Sequence, residues 1–295
     1  MELRFGPAGI PLSCKGRTIK DGIEDVHALE LGAMEIQLLR PHKPIEEDME
    51  LIRELAEELD VHLYAHAPYY MDFLGKEEYR ARSYENLLWA AETAEMLGAR
   101  ILVTHIGLYH DKDHKVALEE AIKIVRKARD HMKKKGYSVK LGVETSGRQM
   151  VFGTLEEVLT VVRRVSGVVP VLNIGNLFCR MDGKLNTRED FEELIYAPVM
   201  KVTKSKEFYF HFSGVERRGK DKLRNTPIKK GELKFETFVD SLLEREDFSA
   251  TVISDSPLLE HDAYYMQLIT ERVKQRRALR KKGGQEKKGS KAASK

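Results

Sequence analysis

Two cysteines, Cys14 and Cys179, are all that this 295-residue chain carries. Far apart and in no CxxC spacing, they exclude a disulfide framework and a cysteine-based metal motif, and both read as incidental. No run of 18 or more apolar residues occurs, so no membrane span is expected. Met1-Glu2-Leu3-Arg4-Phe5 leads straight into a strand-like segment, without the basic-then-apolar pattern of a secretory signal. These absences predict a soluble, cytoplasmic protein. A glycine-rich phosphate loop is missing too. Phe5-Gly6-Pro7-Ala8-Gly9 lacks the GxGxxG spacing, which counts against a doubly wound open sheet.

A strong net charge is also lacking, since 50 Lys/Arg face 47 Asp/Glu. The balance of +3 conceals an asymmetry. Residues 270–295 hold 11 of the basic residues and 2 of the acidic ones, leaving 39 basic and 45 acidic for the rest. The body is mildly acidic, so polyanion binding has to come from a local patch or from the tail.

What is present is alternation. Strand-like runs fall at 2–6, 34–39, 61–65, 100–104, 139–143, 168–173, 207–212 and 250–254, with helical patterns between them near 19–31, 46–59, 82–97, 114–134, 154–165, 188–200, 235–245 and 261–281. Thr154 followed by Glu156 and Glu157 reads as an N-cap with an acidic first turn. Gly98 and Gly136 read as helix stops. Eight strand–helix pairs predict an α/β fold, a (β/α)8 TIM barrel in one domain over residues 1–281. Residues 282–295, rich in Lys, Gly and Ser, read as a disordered basic tail.

Metal-capable side chains sit at the ends of five of these runs. His66 follows 61–65, His105 follows 101–104, Glu144 follows 140–143, His211 follows 208–210 and Asp255 follows 251–254. In such a barrel the C-terminal strand ends face one mouth, so three imidazoles and two carboxylates converge there. That donor mixture suits zinc, and also manganese or iron. The sixth run ends in Asn173, which joins the ring as a metal-ligand position, and Asn176 follows three residues later. Glu144 and Asp255 are the expected catalytic carboxylates. His62 lies inside a run and reads as a core histidine with satisfied hydrogen bonds. Residues 214–234, after the seventh run, hold eight basic and three acidic residues. Arg217, Arg218, Lys220 and Arg224 in this loop would overhang the mouth, suggesting an anionic, phosphate-bearing substrate.

His66-Ala67-Pro68-Tyr69, Thr104-His105-Ile106-Gly107, Val143-Glu144-Thr145-Ser146-Gly147 and Phe210-His211-Phe212-Ser213 resemble the endonuclease IV family of apurinic/apyrimidinic endonucleases, within the xylose-isomerase-like barrels. Ser254-Asp255-Ser256-Pro257 stands where that family ends its last strand with a Glu-Thr-Pro type motif. The resemblance spans nearly the whole chain before the tail. It implies hydrolysis of the phosphodiester at abasic sites with three zinc ions. It carries His66, His105 and Glu144 over as ligands of the first ion, and Glu144, His211 and Asp255 as ligands of the second. It also implies departures. Asn173 and Asn176 replace an Asp and a His, and Leu223-Arg224-Asn225 replaces an Asp-x-His, on an alignment anchored by Lys230-Gly231-Glu232. The third site is lost on this alignment, and one or two ions, zinc or else manganese, are expected. Tyr69 matches a substrate-facing Tyr, Arg40 falls near the family's base-stack insertion, and Arg148 and Arg224 offer fixed positive charge. Trp89 reads as packing.

The leading expectation is therefore a monomeric metal-dependent phosphodiesterase acting on abasic or damaged duplex DNA, with no protein partner. A sugar or sugar-phosphate isomerase or epimerase would instead use Glu144, Asn173, His211 and Asp255. A noncatalytic nucleic-acid binder is the third reading.

Overall fold

The computed structural model describes residues 1–41, 45, 47–217 and 223–292, with side chains described for all of these but 223 and 281–292. Strands β1 (Glu2–Pro7), β2 (Ala33–Gln37), β3 (His62–His66), β4 (Ile101–Thr104), β5 (Lys140–Glu144), β6 (Val168–Asn173) and β7 (Glu207–Phe212) run in parallel, and β10 (Ser249–Ser254) lies between β7 and β1. An antiparallel hairpin, β8 (Gly214–Arg217) and β9 (Leu223–Thr226), stands between β7 and β10 in the chain. The barrel closes where β1 meets β2. Gly32 N–H donates to Phe5 O at 3.0 Å. Gly6 is needed there, because a Cβ on it would lie 1.7 Å from the Ala33 carbonyl oxygen.

Helices α1 (Ile19–Ala28), α2 (Met49–Glu58), α3 (Glu77–Met96), α4 (His114–Lys135) and α5 (Leu155–Arg164) follow the first five strands. Thr18 and Thr154 start α1 and α5 with capping boxes closed by Asp21 and Glu157. Gly136 ends α4 at φ 77°, a left-handed cap that L residues with a Cβ resist. The helix expected near 188–200 forms as one continuous helical stretch over 188–203, with a π-turn in its middle. After β6 come α6 (Ile174–Arg180), α7 (Arg188–Phe191), a π-turn over Glu192–Tyr196 and α8 (Ala197–Thr203). A 3-10 turn (Ile228–Lys230) and α9 (Phe235–Leu242) follow the hairpin. The last helix, α10 (Leu259–Ala292), runs past the boundary at 282 drawn from composition. Residues 293–295 of the expected tail lie outside the described residues.

Strand alternation sorts the side chains into two cores. Outward residues such as Leu63, Ala65, Leu141, Val143, Phe210 and Phe212 pack under the helices in the main core. Each such buried Leu, Val or Phe contributes about 1.5–3 kcal/mol over exposure. Inward residues Ala33, Tyr64, Val103, Val171, Tyr209 and Ile253 form a separate apolar layer inside the barrel. Gly142 completes that layer without a side chain, since a Cβ on it would lie 2.7 Å from Val171 Cγ2. One period further along each strand comes a polar ring: Glu35, His66, His105, Glu144, Asn173, His211 and Asp255.

His62 does not sit in the core. It opens β3 at the opposite end of the barrel, half-buried, with its Nε2 accepting from Arg100 Nη2 at 2.8 Å. A position at the start of a strand places its side chain near the rim, where a neighbouring cation reaches it. Trp89 packs partly buried against the main core. Among the described residues, no helix is long and apolar enough to cross a membrane.

Candidate metal centre

Glu144 stands at the middle of the ring. Its Oε2 lies 3.2 Å from His66 Nε2 and 3.0 Å from His105 Nε2. Its Oε1 accepts from His211 Nδ1 at 2.7 Å and from Asn173 Nδ2 at 2.9 Å. The one-period step from the apolar layer accounts for this convergence. β3, β4 and β5 are hydrogen-bonded neighbours, so their last inward residues share one level.

His66, His105 and Glu144 offer ligand atoms that all lie within 4.8 Å of one another. Two imidazole nitrogens and a carboxylate oxygen are the donors of an open three-ligand site for zinc or a similar divalent ion. The tautomer fits as well. His66 Nδ1 meets the Ala67 carbonyl at 2.6 Å, so the N–H on that side is anchored and Nε2 faces the other donors. His105 Nδ1 is buried with no hydrogen-bond partner.

The electrostatics of the ring suit a cation. Burial by itself would raise Glu144, yet His105 and His211 hold its carboxyl well below the usual range. Burial would lower His211, and the carboxylates of Glu35 and Glu144 outweigh it, so this imidazole is held well above its ordinary value. His66 is raised as well, with Glu144 and Glu35 overcoming burial. Asp255 is raised, chiefly by burial.

Glu35 was not singled out from the sequence as a site residue. It is fully buried on β2, and its Oε2 accepts from His211 Nε2 and from Tyr209 OH, each at 2.7 Å. Gln37 Nε2 donates to its other oxygen at 2.7 Å. His211 is thus clamped between two carboxylates. A signal was present in the sequence: an acidic residue one strand period after Ala33, inside a largely apolar run.

The opposite side of the ring is filled by amides. Asn173 Nδ2 donates to Glu144 Oε1 and to Asp255 Oδ2, both at 2.9 Å. Asn225, on the hairpin, donates to the Asp255 backbone carbonyl at 3.2 Å and to Oδ2 at 3.4 Å. Asn176 donates to the Thr145 carbonyl at 3.1 Å. Asp255 Oδ1 is buried and has no partner. All six ligand positions chosen from the sequence therefore lie in one hydrogen-bonded cluster.

The basic residues are arranged differently. Arg40 and Tyr69 are exposed in the loops after β2 and β3, Arg148 is exposed after β5, and Arg224 is exposed on the hairpin. Arg217 is engaged, with its Nε donating to Glu232 Oε2 at 3.0 Å and its guanidinium 5.3 Å from the Phe178 ring centroid. Arg218 and Lys220 lie outside the described residues. Arg180, to which the sequence drew no attention, holds the loop after β5. It donates to the carbonyls of Arg148 and Val151 and to Tyr109 OH.

The model of the xylose isomerase-like TIM barrel family matches residues 23–263. An uncharacterized protein of Methanocaldococcus jannaschii is 26% identical over 265 residues, 88% of this chain and 94% of that protein. Endonuclease IV from Thermus thermophilus superimposes with a TM-score of 0.72 at 18% identity, covering 92% of this chain and 99% of that one. A D-tagatose 3-epimerase-like protein gives a TM-score of 0.67 at 16% identity, covering 88% and 94%.

Proposed function

The chain belongs to the xylose isomerase-like TIM barrel family, and from that premise we propose that it is a metal-dependent phosphodiester hydrolase acting on DNA at abasic sites, as an endonuclease IV-like enzyme. The observation that carries this reading is where the donors converge. Two imidazoles and one carboxylate meet on β3, β4 and β5, whereas the β6 position of the set that an isomerase would use is an amide, Asn173.

His66, His105 and Glu144 hold the ion, with zinc the first candidate and manganese the second. A divalent ion held this way supplies Lewis acidity toward a phosphoryl oxygen and activation of water. The rest falls to the chain's own residues. His211, fixed by Glu35, orients Glu144 through Nδ1. Asp255, with one oxygen free of hydrogen bonds, is the carboxylate to which we assign acceptance of a proton from the attacking water. Arg148 and Arg224 present exposed guanidinium groups to flanking phosphates. Tyr69 and Tyr70, 67% and 52% exposed, offer aromatic surface to unstacked bases beside the lesion.

The test is direct. Protein reconstituted with zinc or manganese is expected to nick a duplex with one abasic site and to spare the intact duplex. Ion-loaded protein that leaves the abasic duplex whole but interconverts ketose epimers would replace this reading with a sugar-epimerase one.

A further inference from the structure

The two halves of Glu144 face different company. Oε2 faces the two imidazole nitrogens of the candidate ion site, and Oε1 faces His211 Nδ1 and the Asn173 amide. Glu144 Oε1, His211 Nδ1 and Asp255 would make a second set of ion donors beside the first. In this chain the space among them is bridged by Asn173 Nδ2, 2.9 Å from Glu144 Oε1 and 2.9 Å from Asp255 Oδ2. A carboxamide nitrogen has two hydrogens, and each is directed at one carboxylate.

The amide cannot turn round. Its Oδ1 caps α6 by accepting from Asn176 N–H at 3.0 Å. Its backbone N–H is tied to Thr145 Oγ1 at 3.0 Å. Rotation by 180° would point an NH2 at the Asn176 N–H and an oxygen at two carboxylates, so three favourable contacts would become three unfavourable ones.

We propose that Asn173 is the residue that sets the ion count of this centre. Its fixed NH2 stands in for a second cation between Glu144 and Asp255, and the chain takes a single divalent ion, on His66, His105 and Glu144. This rests on the proposed metal centre but not on the substrate assigned to it. It also assigns Asn225 a matching part, since its Nδ2 gives Asp255 a further neutral donor in place of a cation.

The test counts ions. Full-length protein is loaded with zinc, passed through a desalting column and assayed by elemental analysis, and titration calorimetry with zinc gives the number of sites. Wild type is expected to hold one ion. Asn173→Asp keeps the helix cap, because Asp is as good an N-cap as Asn, and adds a carboxylate where the NH2 stood. It is expected to hold two. His66→Ala is expected to hold none, and His66→Ala combined with Asn173→Asp is expected to hold one, at the newly opened position. Two ions in wild type, or one in Asn173→Asp as in wild type, would overturn the proposal. No ion in wild type would overturn it together with the metal centre. One ion in wild type and two in Asn173→Asp, with no DNA nicking by either, would leave it standing and remove only the DNA assignment.

Discussion

The two sides of the barrel mouth solve the same electrostatic problem in opposite ways. On the side of β3, β4 and β5, a carboxylate oxygen is approached by two imidazole nitrogens, donors of the kind that can hold a metal ion. On the side of β6, the hairpin and β10, the carboxylates are met by amide hydrogens from Asn173 and Asn225. Burying carboxylates is costly unless charge or hydrogen bonds compensate. One side supplies that compensation through imidazoles, and the other through amides. The polar ring is therefore a candidate ion site on one flank and an amide-bonded network on the other, in which Asp255 Oδ1 keeps no partner.

Glu144 joins the two flanks, so Glu144→Ala should have the largest effect. It removes the acceptor from His66, His105, His211 and Asn173 at once. The bound ion and metal-dependent nicking should both disappear. The ion-free protein should lose about 3–5 kcal/mol, the range for breaking a buried ion pair. Elemental analysis and urea unfolding measure these, and an ion retained by Glu144→Ala would break the division between flanks.

Glu35→Gln comes next. It keeps the size but weakens the clamp on His211, at a cost of about 1–3 kcal/mol in thermal or urea unfolding. One ion should still bind, because Glu35 supports the ring without holding the metal. Loss of that ion would make Glu35 a ligand and redraw the flanks.

Smaller effects belong to the periphery. Arg148→Ala and Arg224→Ala should each weaken duplex binding at every sequence and reduce the slope of log affinity against log salt by about 1. An unchanged slope in both would remove these residues from the nucleic-acid contact.

The smallest effect lies at the far end of the barrel. His62 is lowered to about 4, first by burial and then by Arg100 and Arg4. Between its unfolded value of about 6.5 and that level, the unfolded chain binds the proton and the folded one does not. Its contribution is thus complete above about pH 6.5 and is lost as pH falls toward 4. His62→Gln should flatten the stability profile in that window, as read by urea unfolding across pH.

Much of this was legible in the chain. Eight strands alternating with helices follow from hydrophobic periodicity and cap residues, and Thr154 and Gly136 act as read. The convergence of His66, His105 and Glu144 followed from their positions at strand ends. Other features were not legible. The antiparallel pairing of 214–217 with 223–226 lies in a charged segment with little alternation to mark it. Glu35 stood mid-strand, and only the pairing of β2 with the rest of the barrel puts its carboxylate beside His211. Asn173 read as a weakened metal ligand, because a residue type alone does not say which way an amide points.

The sequence by itself determined which positions face inward, since a strand turns alternate side chains to one face regardless of its neighbours. It also determined the donor types available at the mouth. The tertiary structure alone decided which atoms meet, because His66 and Asp255 come within reach of one carboxylate and one amide only when a parallel sheet curves on itself and closes. The division of the ring into an imidazole flank and an amide-bonded flank is a property of that closure, set by where the start of α6 anchors the Asn173 amide oxygen.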